Sequence, residues 1–424
     1  MTTPTHILDD LDSRGLISRM AGEGELKKHL NSDPRTLYCG FDPTADSLHI
    51  GSLMPLLALK RFQLAGHRPI VLVGGATGLI GDPSFKTTER ELNSAKIVAE
   101  RVEQLKPQLS RFLDFEDKDN AALLVNNLDW TQDYNVLTFL RDVGKHFSVN
   151  AMVRKESVRQ RIEREGEGIS FTEFSYMILQ AYDFAELYKR YNCTMQIGGS
   201  DQWGNITAGI DLTRRLHQTQ VYGLTLPLMT KTDGSKFGKT EAGTVWLDPE
   251  KTSCYAFYQF WLNTTDEVVY HCLRYFTFRT PDEIAAVEEA DKAAAGRPEA
   301  QTMLARDVTE LVHGKEGMQA VERISKALFS GDVSNLTESD FKQMEDGMTA
   351  MLVQTGINNI VDLLVASLLA SSRKRAREFI SNGAVQVNGE KVTDPETMFG
   401  KQQAKFGRYL LLKRGKKQFK LLII

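Results

Sequence analysis

Short apolar runs rich in β-formers alternate with longer amphipathic stretches through the first half of the chain, a pattern that predicts a parallel sheet flanked by helices. "TLYCGFD" (36–42) reads as a strand ending in a loop, and "PIVLVGGATGLIGDP" (69–83) as a buried strand breaking into glycines. "CTMQIGGSDQWGN" (193–205) repeats that design, and "ITAGIDLTRRLH" after it reads as a helix. Glycines and polar groups therefore gather just past strand ends, where open parallel sheets bind ligands. Residues 248–328 change to helical periodicity, with aromatics first ("CYAFYQFWL") and Ala, Glu and Val later. "FSGDVSNLTESDFKQMEDG" reads as a linker, and the last segment gives an amphipathic helix, a basic helix from about Arg373 and a strand-turn-strand. Its turn, "VNGEKV", carries Asn388-Gly389, a strong hairpin signal.

A length of 424 residues favours two or three domains, and 42% apolar with 25% charged residues fits a soluble globular chain. Cys39, Cys193, Cys254 and Cys272 lie far apart, with no pair at zinc-ribbon spacing. A reducing, cytoplasmic setting without protein-bound zinc or other metal is the expectation. The N-terminal "MTTPTHILDDLDSRGL" has acids where a signal peptide needs apolar residues, and no apolar run reaches membrane-spanning length. From Ser372 onward, 13 Lys or Arg face 4 Asp or Glu, which leaves −12 on the preceding body of a chain of net charge −3. A basic tail on an acidic body points to a polyanionic partner.

Three segments carry candidate chemistry. In "DSLHIGSLMP" (46–55), Pro55 suits a first helical turn, so a helix beginning near Gly51 and Ser52 would set His49 and Gly51 beside free backbone N–H groups, a place for phosphate or ribose. Taken alone, H-x-G is common. "KTDGSKFGKTEAG" (231–243) suggests a loop that wraps negative charge. Its Gly234 precedes Gly238 by four positions where a P-loop needs five, and no apolar helix follows, so a P-loop phosphotransferase is excluded on spacing and context. In "FTEFSYMILQAYDF" (171–184), Tyr176, Gln180 and Asp183 fall at i, i+4 and i+7 on one helix face. A phenol, an amide and a carboxylate among apolar neighbours suit the wall of a small-molecule pocket.

Taken together and in order, these segments resemble class I aminoacyl-tRNA synthetases. "HIGS" is similar to that class's HIGH signature and "KFGKT" to its KMSKS signature. "LYCGFDPTADSLHIG", "VGGATGLIGDPSFKTTERELN", "FSYMILQAYDF" and "IGGSDQWGNITAGIDL" resemble the bacterial tyrosine-specific branch. The tail is similar to a small RNA-binding module, here called S-four-like. The resemblance implies a Rossmann-like α/β catalytic domain (1–230), a KMSKS-type loop (231–247), a helical domain binding the anticodon arm (248–328), a linker (329–355) and an α+β S-four-like domain (356–424).

It also implies roles. Tyr38 and Asp183 would bind the substrate phenol, and Asp82, Tyr176 and Gln180, with Gln202 nearby, its α-ammonium. Cys39, Gly40, Asp42, Thr44, His49, Gly51, Ser52, Gly199 and Asp201 fall where the family contacts ATP. Lys86, Arg90, Lys236, Lys239 and Thr240 match groups that grip pyrophosphate in the transition state, with Thr44 and His49 among the catalytic set. Arg373, Lys374, Arg375 and Arg377 would hold tRNA. The implied substrates are L-tyrosine, ATP with Mg2+ and tyrosine tRNA, and the implied assembly is a homodimer without a membrane.

Adenylate formation needs no protein nucleophile: the tyrosine carboxylate attacks the α-phosphate, pyrophosphate leaves, and the enzyme positions groups and stabilises charge. Phenylalanine in such a pocket would leave a buried carboxylate without its donor, at a cost of several kcal/mol. Two other readings keep the same fold: a non-catalytic RNA-binding paralogue, against which His49, Asp82, Lys236 and Lys239 together argue, and a tryptophan-specific relative, which has no use for the Tyr38 and Asp183 pair. Two positions depart from the family pattern: Ser52, where His or Asn is usual, and Leu128, where Tyr is common.

Overall fold

The computed structural model describes residues 6–84, 93–116, 119–163, 168–229, 237–240, 243–293, 298–348, 350–353, 358–415 and 418–424. The chain divides into two compact units, Met1–Leu247 with Arg274–Ile284, and Asp248–Leu273 with Ala285–Ile424.

The first unit is built on a six-stranded sheet. Its strands are β1 (Arg19–Ala21), β2 (Thr36–Phe41), β3 (Arg68–Val73), β4 (Leu123–Asn126), β5 (Cys193–Gly199) and β6 (Tyr222–Leu226), in the spatial order β1-β6-β5-β2-β3-β4. All neighbours run parallel except β1, which is antiparallel to β6. The unbroken apolar run of β3 has Pro69 to Val73 buried, as a strand covered on both faces requires. From β2 the chain proceeds to β3 on one side, and β5 later pairs on the other, so the carboxyl ends of β2 and β5 flank the topological switch point.

Three local features aim residues at that point. Helix Ile50–Leu64 starts one residue earlier than Gly51, because His49 is its N-cap and accepts the Gly51 N–H through its own side chain. Pro55 consequently sits in the second turn rather than the first. Helix Phe171–Tyr191 is capped by the Ser170 side chain and ends at Asn192 in the left-handed region (φ 51°). It lies close against helix Trp203–His217, where a Cβ on Gly209 would stand 3.1 Å from Phe184 Cδ1. A small ladder of β7 (Lys239–Thr240) and β8 (Gly243–Thr244) follows.

The second unit begins with helices, among them Cys254–Leu262 and Ala300–Ser330, the latter interrupted at Gly314 (φ 72°). The stretch read as a linker contains helix Glu338–Gly347. A reciprocal cap between Thr337 and Asp340 starts it, and Phe341 and Met344 are fully buried. A five-stranded sheet of β9 (Met351–Leu352), β10 (Val385–Val387), β11 (Glu390–Lys391), β12 (Tyr409–Arg414) and β13 (Gln418–Ile423) has the order β11-β10-β12-β13-β9. Since β9 pairs in parallel with β13, residues 351 and 352 are sheet rather than connection. The β10–β11 turn places Asn388 at φ 50° and Gly389 at φ 89°, as the Asn-Gly pair predicts. Phe341 stacks on Tyr409 (5.3 Å, 15°), and Lys413 Nζ donates to the carbonyls of Leu328 and Phe329 at the end of helix Ala300–Ser330. Among the described residues no helix is long and apolar enough to cross a membrane.

Candidate active site

The end of β2 and the start of the following helix form one half of the site. Cys39 is buried, and burial, with the charge of Asp201 adding to it, pushes its thiol up to about 12, so it stays protonated and unreactive. Gly40 is exposed, and a Cβ built there would meet no atom within 4 Å, which leaves the strand end open. Past β2, Thr44 N–H donates to the Asp42 carbonyl at 2.8 Å. His49 Nδ1 accepts from Gly51 N–H at 3.0 Å, and Ser52 N–H donates to the His49 carbonyl at 2.8 Å. Across the switch point, a Cβ on Gly199 would fall 2.4 Å from Asp201 Oδ1, so glycine there lets the carboxylate fold back over the strand end.

The other half is a chain of buried polar groups. Tyr176 Oη donates to Asp42 Oδ2 and Thr77 Oγ1 to Asp42 Oδ1, each at 2.7 Å. Asn127 Nδ2 donates to both Thr77 Oγ1 and Asp183 Oδ2 at 3.0 Å, and Trp130 Nε1 donates to Asp183 Oδ1 at 2.8 Å. The Ala76 N–H donates to Asn127 Oδ1 at 2.7 Å, which fixes the orientation of that amide. Burial nevertheless pushes the Asp183 carboxyl up to about 7, against the lowering effect of its two donors. Beside it, Tyr38 is fully buried with its ring edge on Phe184 (5.3 Å), and its hydroxyl has no hydrogen-bond partner. Burial, reinforced by the charge of Asp183, holds that phenol well above its usual range. A buried hydroxyl left unpaired is costly.

A third group lies around Asp82. Gln202 Nε2 donates to Asp82 Oδ2 at 2.7 Å, Gln180 Nε2 to Gln202 Oε1 at 3.3 Å, and Asn205 Nδ2 to both Gln180 Oε1 (3.0 Å) and Gln202 Oε1 (3.2 Å). Asp82, Gln180 and Gln202 are therefore one network, whereas Tyr176 directs its hydroxyl to Asp42, a residue the sequence resemblance grouped with ATP. Thr77, Asn127, Trp130 and Asn205 escaped the sequence reading. "NNLDW" drew notice only for Leu128, although buried polar side chains need partners and two Asn in succession at a strand end are a usable signal.

Lys86, Arg90 and Lys236 lie outside the described residues, and Lys239 and Thr240 are described by their backbone alone, paired with Thr244 and Gly243. Among the described residues no group of three or more His, Cys, Asp or Glu is placed to hold a metal. Arg373, Lys374, Arg375 and Arg377 belong to the second unit, all exposed on helix Arg373–Ser381.

Residues 30–330 match the family model for class I tRNA synthetases (W and Y), and residues 340–422 match that of the tyrosine–tRNA ligase SYY-like C-terminal domain. A tyrosine–tRNA ligase of Aliivibrio fischeri is 63% identical over 424 residues, covering 100% of both chains. One from Escherichia coli is 57% identical over 419 residues, 99% of each. Among solved structures, a C-terminally truncated mitochondrial tyrosyl-tRNA synthetase of Aspergillus nidulans superposes with a TM-score of 0.70 at 29% identity, covering 77% of this chain and 95% of that one. With an α/β parallel sheet, a C-terminal α+β unit and this degree of identity along its full length, the chain belongs to the class I tRNA synthetases and, within them, to the tyrosine–tRNA ligases.

Proposed function

We propose that this chain joins tyrosine to ATP as tyrosyl-adenylate at the switch point of its first unit and then passes the tyrosyl group to the terminal ribose of tyrosine tRNA. The observation that carries this reading is the unpartnered, buried Tyr38 hydroxyl beside an Asp183 carboxyl whose oxygens are already oriented by Asn127 and Trp130. A substrate phenol satisfies both: it donates to Asp183 and accepts from Tyr38. Asp82, Gln180 and Gln202 supply acceptors for the α-ammonium, and Tyr176, tied to Asp42, walls the pocket. Gly40, Gly51, Ser52, Gly199 and Asp201 make room for ATP and contact it, with Cys39, Asp42 and Thr44 at the strand end.

No step in this scheme uses a protein nucleophile. The carboxylate of tyrosine attacks the α-phosphate, and His49 at the helix N-terminus, with Lys86, Arg90, Lys236, Lys239 and Thr240, stabilises charge on the departing pyrophosphate. Mg2+ would enter with ATP and offset phosphate charge beside the lysines assigned to the pyrophosphate. Arg373, Lys374, Arg375 and Arg377 attract the tRNA backbone.

A cytoplasmic homodimer is part of the proposal. Helix Val136–Asp142 buries none of its residues and exposes Val136, Leu137 and Leu140, at 67%, 74% and 52%. This exposed apolar face is the surface we assign to contact with a second copy. Sedimentation of Leu137→Asp checks this: the variant is expected to shift toward monomer.

The test of the reaction is ATP–pyrophosphate exchange with each of the twenty amino acids. Exchange with tyrosine and not with phenylalanine or tryptophan is expected. Exchange with tryptophan would identify the tryptophan-specific alternative, and none with any amino acid would identify a non-catalytic paralogue.

A further inference from the structure

The segment after the lysine loop is tied to the first unit at two ends. At one end the Phe237 ring stacks on Phe276 (centroids 6.2 Å, 13° between planes), and Phe276 is only 1% exposed. The carbonyls around Phe276 are held in turn: buried Arg14 donates to those of Arg274 (3.4 Å) and Arg279 (2.8 Å), and buried Arg61 to that of Thr277. At the other end, Ile50 N–H donates to the Val245 carbonyl (3.1 Å) and Leu247 N–H to the Leu48 carbonyl (2.8 Å), which lays this strand along the residues flanking His49. The Trp246 ring meets the His49 ring edge-on at 6.3 Å.

Between those ends lie Gly238, whose carbonyl accepts from Val245 N–H at 2.9 Å, and the backbone of Lys239, in register with Thr244. Gly238 takes φ 88°, and a Cβ there would approach Ile50 Cβ to 3.3 Å, so the turn runs tight against the helix that His49 caps. A backbone fixed at both ends has little freedom to drift. Without the Phe237 ring, Lys239 would be held by backbone bonds only: its pairing with β8, the Val245 N–H to the Gly238 carbonyl and, at 3.3 Å, the Phe237 N–H to the Met229 carbonyl.

We infer that the Phe237–Phe276 stack is a positioning element for the adenylation step: Phe276 touches no reacting atom, yet it sets where the Lys239 backbone stands relative to His49. The inference rests on the role proposed above for Lys239. A solely structural function for these rings would lower stability and tyrosine binding together. A positioning function lowers kcat and leaves tyrosine binding intact, because the Tyr38 and Asp183 pocket shares no residue with this anchor.

The experiment measures tyrosine-dependent ATP–pyrophosphate exchange, tyrosine dissociation constants and thermal unfolding in the full chain. Phe237→Ala is expected to lower kcat about 100-fold, the scale of a misplacement near 1 Å, with tyrosine affinity unchanged. Phe237→Tyr, which keeps a ring to stack, is expected to restore most of that rate. Phe276→Leu is expected to follow Phe237→Ala, and since Phe276 is a core residue whose replacement can disturb folding, Phe237→Ala decides if the two differ. Wild-type kcat in Phe237→Ala, or parallel loss of kcat and tyrosine affinity, overturns the inference. Lys239→Ala in the same assay separates the two claims: a slow Lys239→Ala beside a fast Phe237→Ala defeats the anchor alone, whereas a fast Lys239→Ala defeats the proposed role of the lysine.

Discussion

His49 caps its own helix: its Nδ1 accepts the backbone N–H of Gly51 at 3.0 Å, which holds the ring against the first turn. A Cβ on Gly51 would lie 2.7 Å from His49 Cε1. Gly51→Ala therefore rotates the imidazole away, although alanine is favoured over glycine inside a helix by about 1 kcal/mol. The expected result is adenylate formation slower by about 100-fold, if the ring moves by an ångström, with a melting temperature near the parent's, because the gain from alanine and the loss of the His49 cap, each about 1 kcal/mol, offset one another. Pre-steady-state kinetics and calorimetry on the same preparation check it.

Ser52 stands at the last position of the same signature. Its backbone N–H is used by the His49 carbonyl, so only its short hydroxyl is available to ATP. Ser52→His is expected to change ATP affinity by no more than one hydrogen bond's worth, ~0.5–1.5 kcal/mol. An exchange assay at varied ATP measures this, and a hundredfold change in activity would remove Ser52 from that secondary role.

Asp183 carries a pH dependence whose sign follows from its environment. Burial pushes its carboxyl up from the ordinary 3.8 to about 7 in the folded state. Its contribution to stability is therefore fully present below about pH 4 and is lost as pH rises through about 7. Tyrosine bound as proposed would act in the opposite sense, because its phenol donates best to the ionised carboxylate. Tyrosine affinity is expected to fall by up to about tenfold per unit as pH drops below the carboxyl's pKa, while phenylalanine, with no hydroxyl, shows no such loss. Calorimetric titration with both amino acids across that range checks the difference.

How much of this was legible in the sequence depends on the range of the interactions. Strands 36–41, 68–73 and 193–199 and the face shared by Tyr176, Gln180 and Asp183 follow from local periodicity. The partners of Asp183 do not: Asn127 and Trp130 are 56 and 53 residues away, joined to it only by strand order. Tyr176 likewise reaches Asp42 across 134 residues. Helix Glu338–Gly347 was hidden for a different reason. Its Ser- and acid-rich composition resembles a connection, and the spacing of Thr337 to Asp340 ahead of Phe341 and Met344 was the better guide.

Leu368 offers a test of backbone strain in the second unit. It occupies the left-handed region (φ 61°) just past helix Ile360–Ala366, with 88% of its surface exposed. A left-handed conformation costs a non-glycine residue roughly 1–2 kcal/mol, and little burial offsets it here. Leu368→Gly is expected to raise stability by up to about 1 kcal/mol, the remainder going to the greater freedom of glycine in the unfolded chain. Denaturant titration monitored by tryptophan fluorescence reads this, and destabilisation would mean that the leucine makes contacts outweighing its strain.

The four cations of helix Arg373–Ser381 are not equivalent. Arg373 Nε pairs with Asp362 at 2.8 Å and Arg375 with Glu378 at 2.7 Å, while Lys374 and Arg377 form no ion pair among the described residues. A paired guanidinium presents a weaker net field to a phosphate, so in the tRNA contact proposed for this helix Lys374 and Arg377 are expected to carry most of the attraction. Reversing both, as Lys374→Glu with Arg377→Glu, is expected to raise the KM for tRNA and to reduce the salt dependence of charging by about one unit of log–log slope per lost phosphate contact. ATP–pyrophosphate exchange, which needs no tRNA, is expected to stay at the parent rate. Arg375→Gln is expected to have a smaller effect, because it removes a charge already balanced by Glu378. If instead Arg375→Gln proves the more damaging, the pairing with Glu378 must open on the tRNA and the ranking of the four cations is reversed.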